Sequence, residues 1–233
     1  MLTLPVVEVD GRFLPGVLLD EIDRALGLPP KDGERSLSAP ALADRTVRVN
    51  AAVARFARQL PPAHYDDPTP AADGADGPQL LPDGTPVVFP DGSPYEPHRT
   101  SFGLVRHLVG HVVKFQLVVE HPEEDWFSDL GLFMPLGEPA AGTDPAQVAC
   151  VAAQAAHDIR RWLASHPDER FEHIVDTCNG PRSVIDILRD NTYSLLQHTR
   201  QLMEILRDLD IEPDASLGEV DFEGFEMPSS VWG

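Results

Sequence analysis

The chain has 233 residues, with 18 Lys+Arg against 38 Asp+Glu and a formal net charge of −20, so nucleic acid and anionic membranes are poor partners on electrostatic grounds. Hydrophobic residues make up 42%, enough for the core of one generous domain, or of one domain with an appendage. No apolar run approaches the ~20 residues of a membrane span, and the opening MLTLPVVEVD lacks a basic segment leading into an apolar one. The two cysteines, Cys150 and Cys178, are too few for a disulfide framework and form no metal or redox motif. A soluble, cytoplasmic protein is expected.

In chain order, residues 5–9 alternate weakly, Asp10-Gly11 is a strong hairpin turn, residues 12–14 return, and residues 18–26 carry a helical pattern. This fragment of residues 1–28 is too small to bury a core alone, so it must dock on the rest. Its proline-led PVVEVDG resembles the second half of a glutaredoxin-like fold. The half that would carry Cys-x-x-Cys has no counterpart here. The resemblance therefore implies a structural remnant without thiol–disulfide chemistry.

Leu42, Thr46, Val49, Val53, Phe56 and Leu60 then step by fours and threes, which predicts an amphipathic helix with Arg45, Arg48, Arg55 and Arg58 largely off the stripe. Pro61-Pro62 ends it. The connection 61–99 holds LPDGTPVVFPDGSP, two Pro-Asp-Gly turns around Val87-Val88-Phe89 that read as a small hairpin. So long a loop serves as a lid, a binding loop or an interface.

A second helix over about 100–120 puts Leu104, His107, Leu108, His111, Phe115 and Val118 on one face, with two histidines one turn apart. Asp144-Pro145 starts a third, with Val148, Val151, Ala155, Ile159 and Trp162 as its stripe and Cys150 read as a small core residue. Residues 171–179 read as irregular, broken by Gly180-Pro181. The fourth helix, 183–209, opens on Ser183 and Asp186 at capping-box spacing. Its stripe is Ile187, Asn191, Leu195, His198, Leu202, Ile205 and Leu209, with His198 in the middle. A polar group on a core stripe is either hydrogen-bonded filler or a ligand. Beyond Asp210 the tail is acidic yet contains Phe222, Phe225, Met227 and Trp232, so it should pack along the helices. Four long amphipathic helices with one long crossover predict a mainly α four-helix bundle.

The pieces SFGLVRHLVGH and NTYSLLQHTRQLMEIL, followed by LDIEP, resemble the DinB/YfiT superfamily over about residues 38–213. The resemblance implies a DinB-like four-helix bundle, with residues 1–28 as an appendage and 214–233 as a packed acidic tail. It implies a metal-dependent transferase or isomerase acting on a small molecule with a low-molecular-weight thiol such as bacillithiol, mycothiol or glutathione. In that family a divalent metal (Zn, Fe or Ni) is held by one histidine of the second helix and an i, i+4 pair on the fourth; metal-bound thiols are deprotonated, which makes a nucleophile at neutral pH.

Carried across, these positions fall on His107, on His198 and on Ser194. Serine is a poor ligand for such ions. Three resolutions stay open: His111 as the third ligand, Asp190 one turn before Ser194, or no metal at all. In the last case the protein is a non-catalytic binder of a small ligand or partner chain. Tyr193 and Gln197 flank the site as candidates for positioning a substrate, although packing is the plainer role for both. A homodimer is expected, because the tail's aromatic residues need cover.

Overall fold

The computed structural model describes residues 6–9, 12–15, 26–27, 37–70, 81, 83–88, 92, 95, 99–121, 124, 131, 135–139, 143–165, 171–177 and 180–232. Strands β1 (Val6–Val9) and β2 (Arg12–Pro15) pair antiparallel with Val9 opposite Arg12. The predicted helix over 18–26 lies outside the described residues, apart from an exposed turn at Leu26 and Gly27.

Helix α1 (Ala39–Gln59) is capped by Ser38, whose side chain accepts from the Ala41 amide at 3.4 Å. Its stripe of Leu42, Thr46, Val49, Val53, Phe56 and Leu60 is buried throughout. Arg45 departs from expectation. It is buried as well, because its guanidinium donates to the carbonyls of Asp221 (2.8 Å) and Glu223 (2.7 Å) in the tail. A charge leaves water at this position because it acquires acceptors.

The 61–99 connection returns to its start. The amides of Thr69, Ser101 and Phe102 donate to the carbonyls of Arg99, Asp67 and Tyr65, each at 3.0 Å. Closing an excursion on itself in this way is characteristic of long functional loops. Within it, Leu81 and Thr85 close a turn at Asp83–Gly84, and Tyr95 donates its amide to Val87. The predicted hairpin is seen only as these bonds, since Phe89 and its neighbours lie outside the described residues.

Helix α2 (Ser101–Glu120) is capped by Thr100, whose hydroxyl accepts from Gly103 at 3.0 Å. Helix α3 (Pro145–Ser165) begins after Asp144, as the sequence predicts. Two of its residues differ from expectation: Val151 and Cys150 are exposed. Ala152 takes the core place, with its carbonyl accepting from Asn50 of α1 at 3.1 Å. The small side chain admits the neighbouring helix, and the β-branched one turns out.

The segment read as irregular forms a second hairpin, β3 (Ile174–Thr177) against β4 (Gly180–Ser183). Pro181 is tolerated because a two-stranded ribbon consists of edges. Helix α4 (Val184–Asp208) follows, with Ser183 as its cap. A single turn α5 (Glu219–Phe222) lies in the tail.

The fold is mainly α with two small antiparallel hairpins among the described residues. Helix α1 packs against α3 and α4, and α2 against both of the same helices. The buried line of α4 is Leu188, Thr192, Leu195, Thr199, Leu202 and Leu206. Thr192 meets Thr46 of α1 at 2.6 Å. Ile187, Asn191 and His198 are half-buried, so His198 lies at the margin of the core face rather than in its middle. A helix with two neighbours buries a wide arc. The predicted stripe mixed the arc's centre with its edge toward α2.

Candidate metal centre

Helix α2 supplies two histidines four residues apart, which helical geometry sets on one face. His107 is buried and His111 is half-buried. Their Nε2 atoms stand 2.9 Å apart. His198 arrives from α4 with its ring centroid 5.2 Å from that of His107 and 5.9 Å from that of His111. One nitrogen from each of the three lies within 4.8 Å of the others, close enough to hold a metal ion.

The rings are held from behind. Glu138 Oε1 lies 2.8 Å from His107 Nδ1, and Tyr95 donates its hydroxyl to the same carboxylate oxygen at 2.6 Å. A carboxylate accepts, so His107 carries its proton on Nδ1 and presents the Nε2 lone pair. That lone pair faces His111 Nε2. His198 Nδ1 lies 2.8 Å from Gln201 Oε1. Asn191, half-buried on α4, hydrogen-bonds the His111 side chain.

Burial pushes all three imidazoles below their ordinary range, with His107 and His111 well below it. The proximity of His198 and Lys114 adds to the shift at His107. Neutral imidazole is the ligating form, so desolvation prepares the cluster for a cation. Burial also raises the Glu138 carboxyl and lowers Lys114, whose Nζ lies 3.8 Å from Glu138 Oε1.

Two glycines admit Glu138. A Cβ on Gly110 would fall 2.2 Å from Glu138 Cγ, and one on Gly137 would fall 2.7 Å from Val113 Cβ. Gly137 also has φ +75°, the left-handed region that glycine enters without strain. Arg106 Nε clamps the next residue by donating to the Pro139 carbonyl at 2.5 Å.

Of the residues singled out from sequence, the structure brings His107, His111 and His198 together. Asp190 is not one of this group, and its carboxylate lies 2.9 Å from Arg182 Nη1. A charge partner in reach outweighs a turn toward the imidazoles. Ser194 is half-buried, and the triad closes without it. Gln197 faces the tail, its Nε2 3.5 Å from the Val231 carbonyl. Tyr193 is half-buried, and burial raises its phenol.

Sequence reasoning missed Glu138, Tyr95 and Lys114, and gave Gln201 no role. Glu138 and Tyr95 lie in segments without helical period. Only Gly110, a glycine inside an apolar helix beside a histidine, hinted at a close approach. The donor set suits a first-row divalent ion: imidazole favours zinc, iron and nickel, and paired outer hydrogen bonds are usual behind such ligands. No family profile, curated protein or solved structure matches the chain.

Proposed function

We propose that the chain is a DinB-like four-helix bundle whose His107, His111 and His198 hold a divalent transition metal, and that it is a transferase or isomerase acting on a small molecule with a low-molecular-weight thiol. The observation that carries this reading is the convergence of three imidazoles, with the Nδ1 atoms of His107 and His198 already committed to Glu138 and Gln201. In this reading the i, i+4 pair has moved from α4 to α2. His111 supplies what Ser194 does not.

A bound metal with three protein ligands keeps open positions and supplies a Lewis acid able to hold a thiol as its thiolate. The chain's own residues do the rest. Glu138 holds the His107 proton at Nδ1 and keeps that ring oriented. Tyr95 ties the 61–99 loop to the same carboxylate, so the loop that would cover a substrate is anchored at the site. Lys114 offsets the buried carboxylate's charge.

The test is elemental analysis of protein purified without a polyhistidine tag, followed by zinc titration calorimetry of the metal-free chain. One ion per chain is expected, lost in each of His107→Ala, His111→Ala and His198→Ala, because two remaining ligands are too few. Absence of any bound or titratable divalent ion would sink the metal reading. It would leave the non-catalytic binder as the account of this scaffold.

A further inference from the structure

The end of the tail reaches the metal centre. Gln201 is buried on α4, three residues after His198. Its Nε2 donates to the Val231 carbonyl at 3.1 Å, and its Oε1 lies 2.8 Å from His198 Nδ1. A backbone carbonyl only accepts, so it selects which end of the amide it meets. With nitrogen toward Val231, oxygen must face His198, and His198 Nδ1 must donate. The neutral ring then keeps its lone pair on Nε2.

Around this point the tail is held at several places. Arg200 Nη1 donates to the Pro228 carbonyl at 3.0 Å, its guanidinium lies 5.9 Å from the Phe222 ring centroid, and Trp232 packs on the core. Val231 is thus a fixed acceptor rather than a passing one.

We infer that Gln201 is a positioning residue for the metal centre, and that the Val231 carbonyl sets it. Together they lock His198 in the Nδ1–H tautomer, as Glu138 does for His107. The tail is then part of the ligand shell's support and not only a cover for apolar surface. This rests on the metal reading above, but its central claim concerns a proton on a ring nitrogen and is measurable in the metal-free chain.

The experiment compares the full chain with Gln201→Leu, Gln201→Glu and a chain ending at Ser229. Long-range proton–nitrogen correlation spectra of the metal-free proteins report the tautomer of His198, and zinc titration reports affinity. The full chain is expected to show Nδ1–H. Gln201→Leu removes the acceptor, so the Nε2–H form should appear and zinc binding should weaken roughly 10–100-fold, the usual cost of losing such a partner. Gln201→Glu keeps an acceptor toward His198 and should retain the Nδ1–H tautomer and the zinc affinity, which a purely structural loss would not do. The chain ending at Ser229 frees the amide to turn and should shift the tautomer in the same direction as Gln201→Leu, with circular dichroism showing the helices intact.

An Nε2–H tautomer in the full chain overturns the inference. So does an unchanged tautomer and zinc affinity in both Gln201→Leu and the shortened chain. If the full chain takes up no zinc yet shows these tautomer shifts, the metal reading falls and the positioning claim stands.

Discussion

At the scale of single residues, the three desolvated imidazoles tie stability to pH. Their folded pKa values lie below the unfolded value near 6.5, so between the two the unfolded chain binds more protons. Stability is then complete above about pH 6.5 and falls as the solution is acidified. Glu138 works in the opposite sense, because burial raises its carboxyl and protonation favours the fold. Urea denaturation of the metal-free chain between pH 7.5 and 5 should show falling midpoints, and the fall should be shallower in His107→Gln. A flat profile would contradict the burial of the cluster.

Gly110 offers a second test at this scale. Gly110→Ala places a methyl 2.2 Å from Glu138 Cγ, so the carboxylate must move, at a cost of about 1–3 kcal/mol from overpacking. Zinc affinity should fall with it, because the His107 Nδ1 partner is displaced. Retained affinity in a well-folded Gly110→Ala protein would detach Glu138 from the site.

Among the elements, α2 is the platform. One side carries His107 and His111 toward α4, and Arg106, Gly110 and Lys114 receive the 135–139 segment. Helix α4 contributes a single histidine, at the edge of its buried arc. If the triad acts as a unit, the pair need not stay on α2. In a His111→Ala background, Ser194→His should recover zinc binding, since residues 194 and 198 lie four apart on α4. Calorimetry showing no recovery would mean that position 194 does not face the cluster.

Helix α1 is fastened to the tail by arginines. Arg45 binds two tail carbonyls, and Arg55 binds those of Asp214 and Ala215, both at 3.1 Å. Arg45→Ala should cost about 2–3 kcal/mol, because hydrogen bonds to a charged donor are lost inside the protein. Arg55→Ala, at a more exposed position, should cost less. Equal midpoints for Arg45→Ala and the parent chain in denaturant would rule out this fastening.

At the scale of the whole molecule, residues 210–232 run back over the helices. Phe222, Phe225, Met227 and Trp232 pack on the same core as α1 and α4. The expectation of a dimer rested on cover for these side chains, which lie half-buried against that core. Among the described residues no helix is long and apolar enough to cross a membrane. Removing residues 214–233 should lower the melting temperature by several degrees, since a loss of about 1 kcal/mol already shifts a chain of this size by roughly 2–4 °C. An unchanged melting temperature would make the tail an ornament.

By itself the sequence determined what is local. The caps Asp144 and Ser183, the proline stop after α1 and the one-turn spacing of His107 and His111 follow from helical period and terminal hydrogen bonding, which act within a few residues. It also marked His198 as a polar group on an apolar helix. The tertiary structure grouped His111 with His107 and His198 and paired Asp190 with Arg182, an outcome that depends on which side of α4 meets α2. It alone brought Tyr95, Glu138 and Val231 to the histidines. These residues come from loops and a tail with no period, and their placement is set by long-range closure around a glycine, a buried carboxylate and a single backbone carbonyl, none of which leaves a repeating trace in the chain.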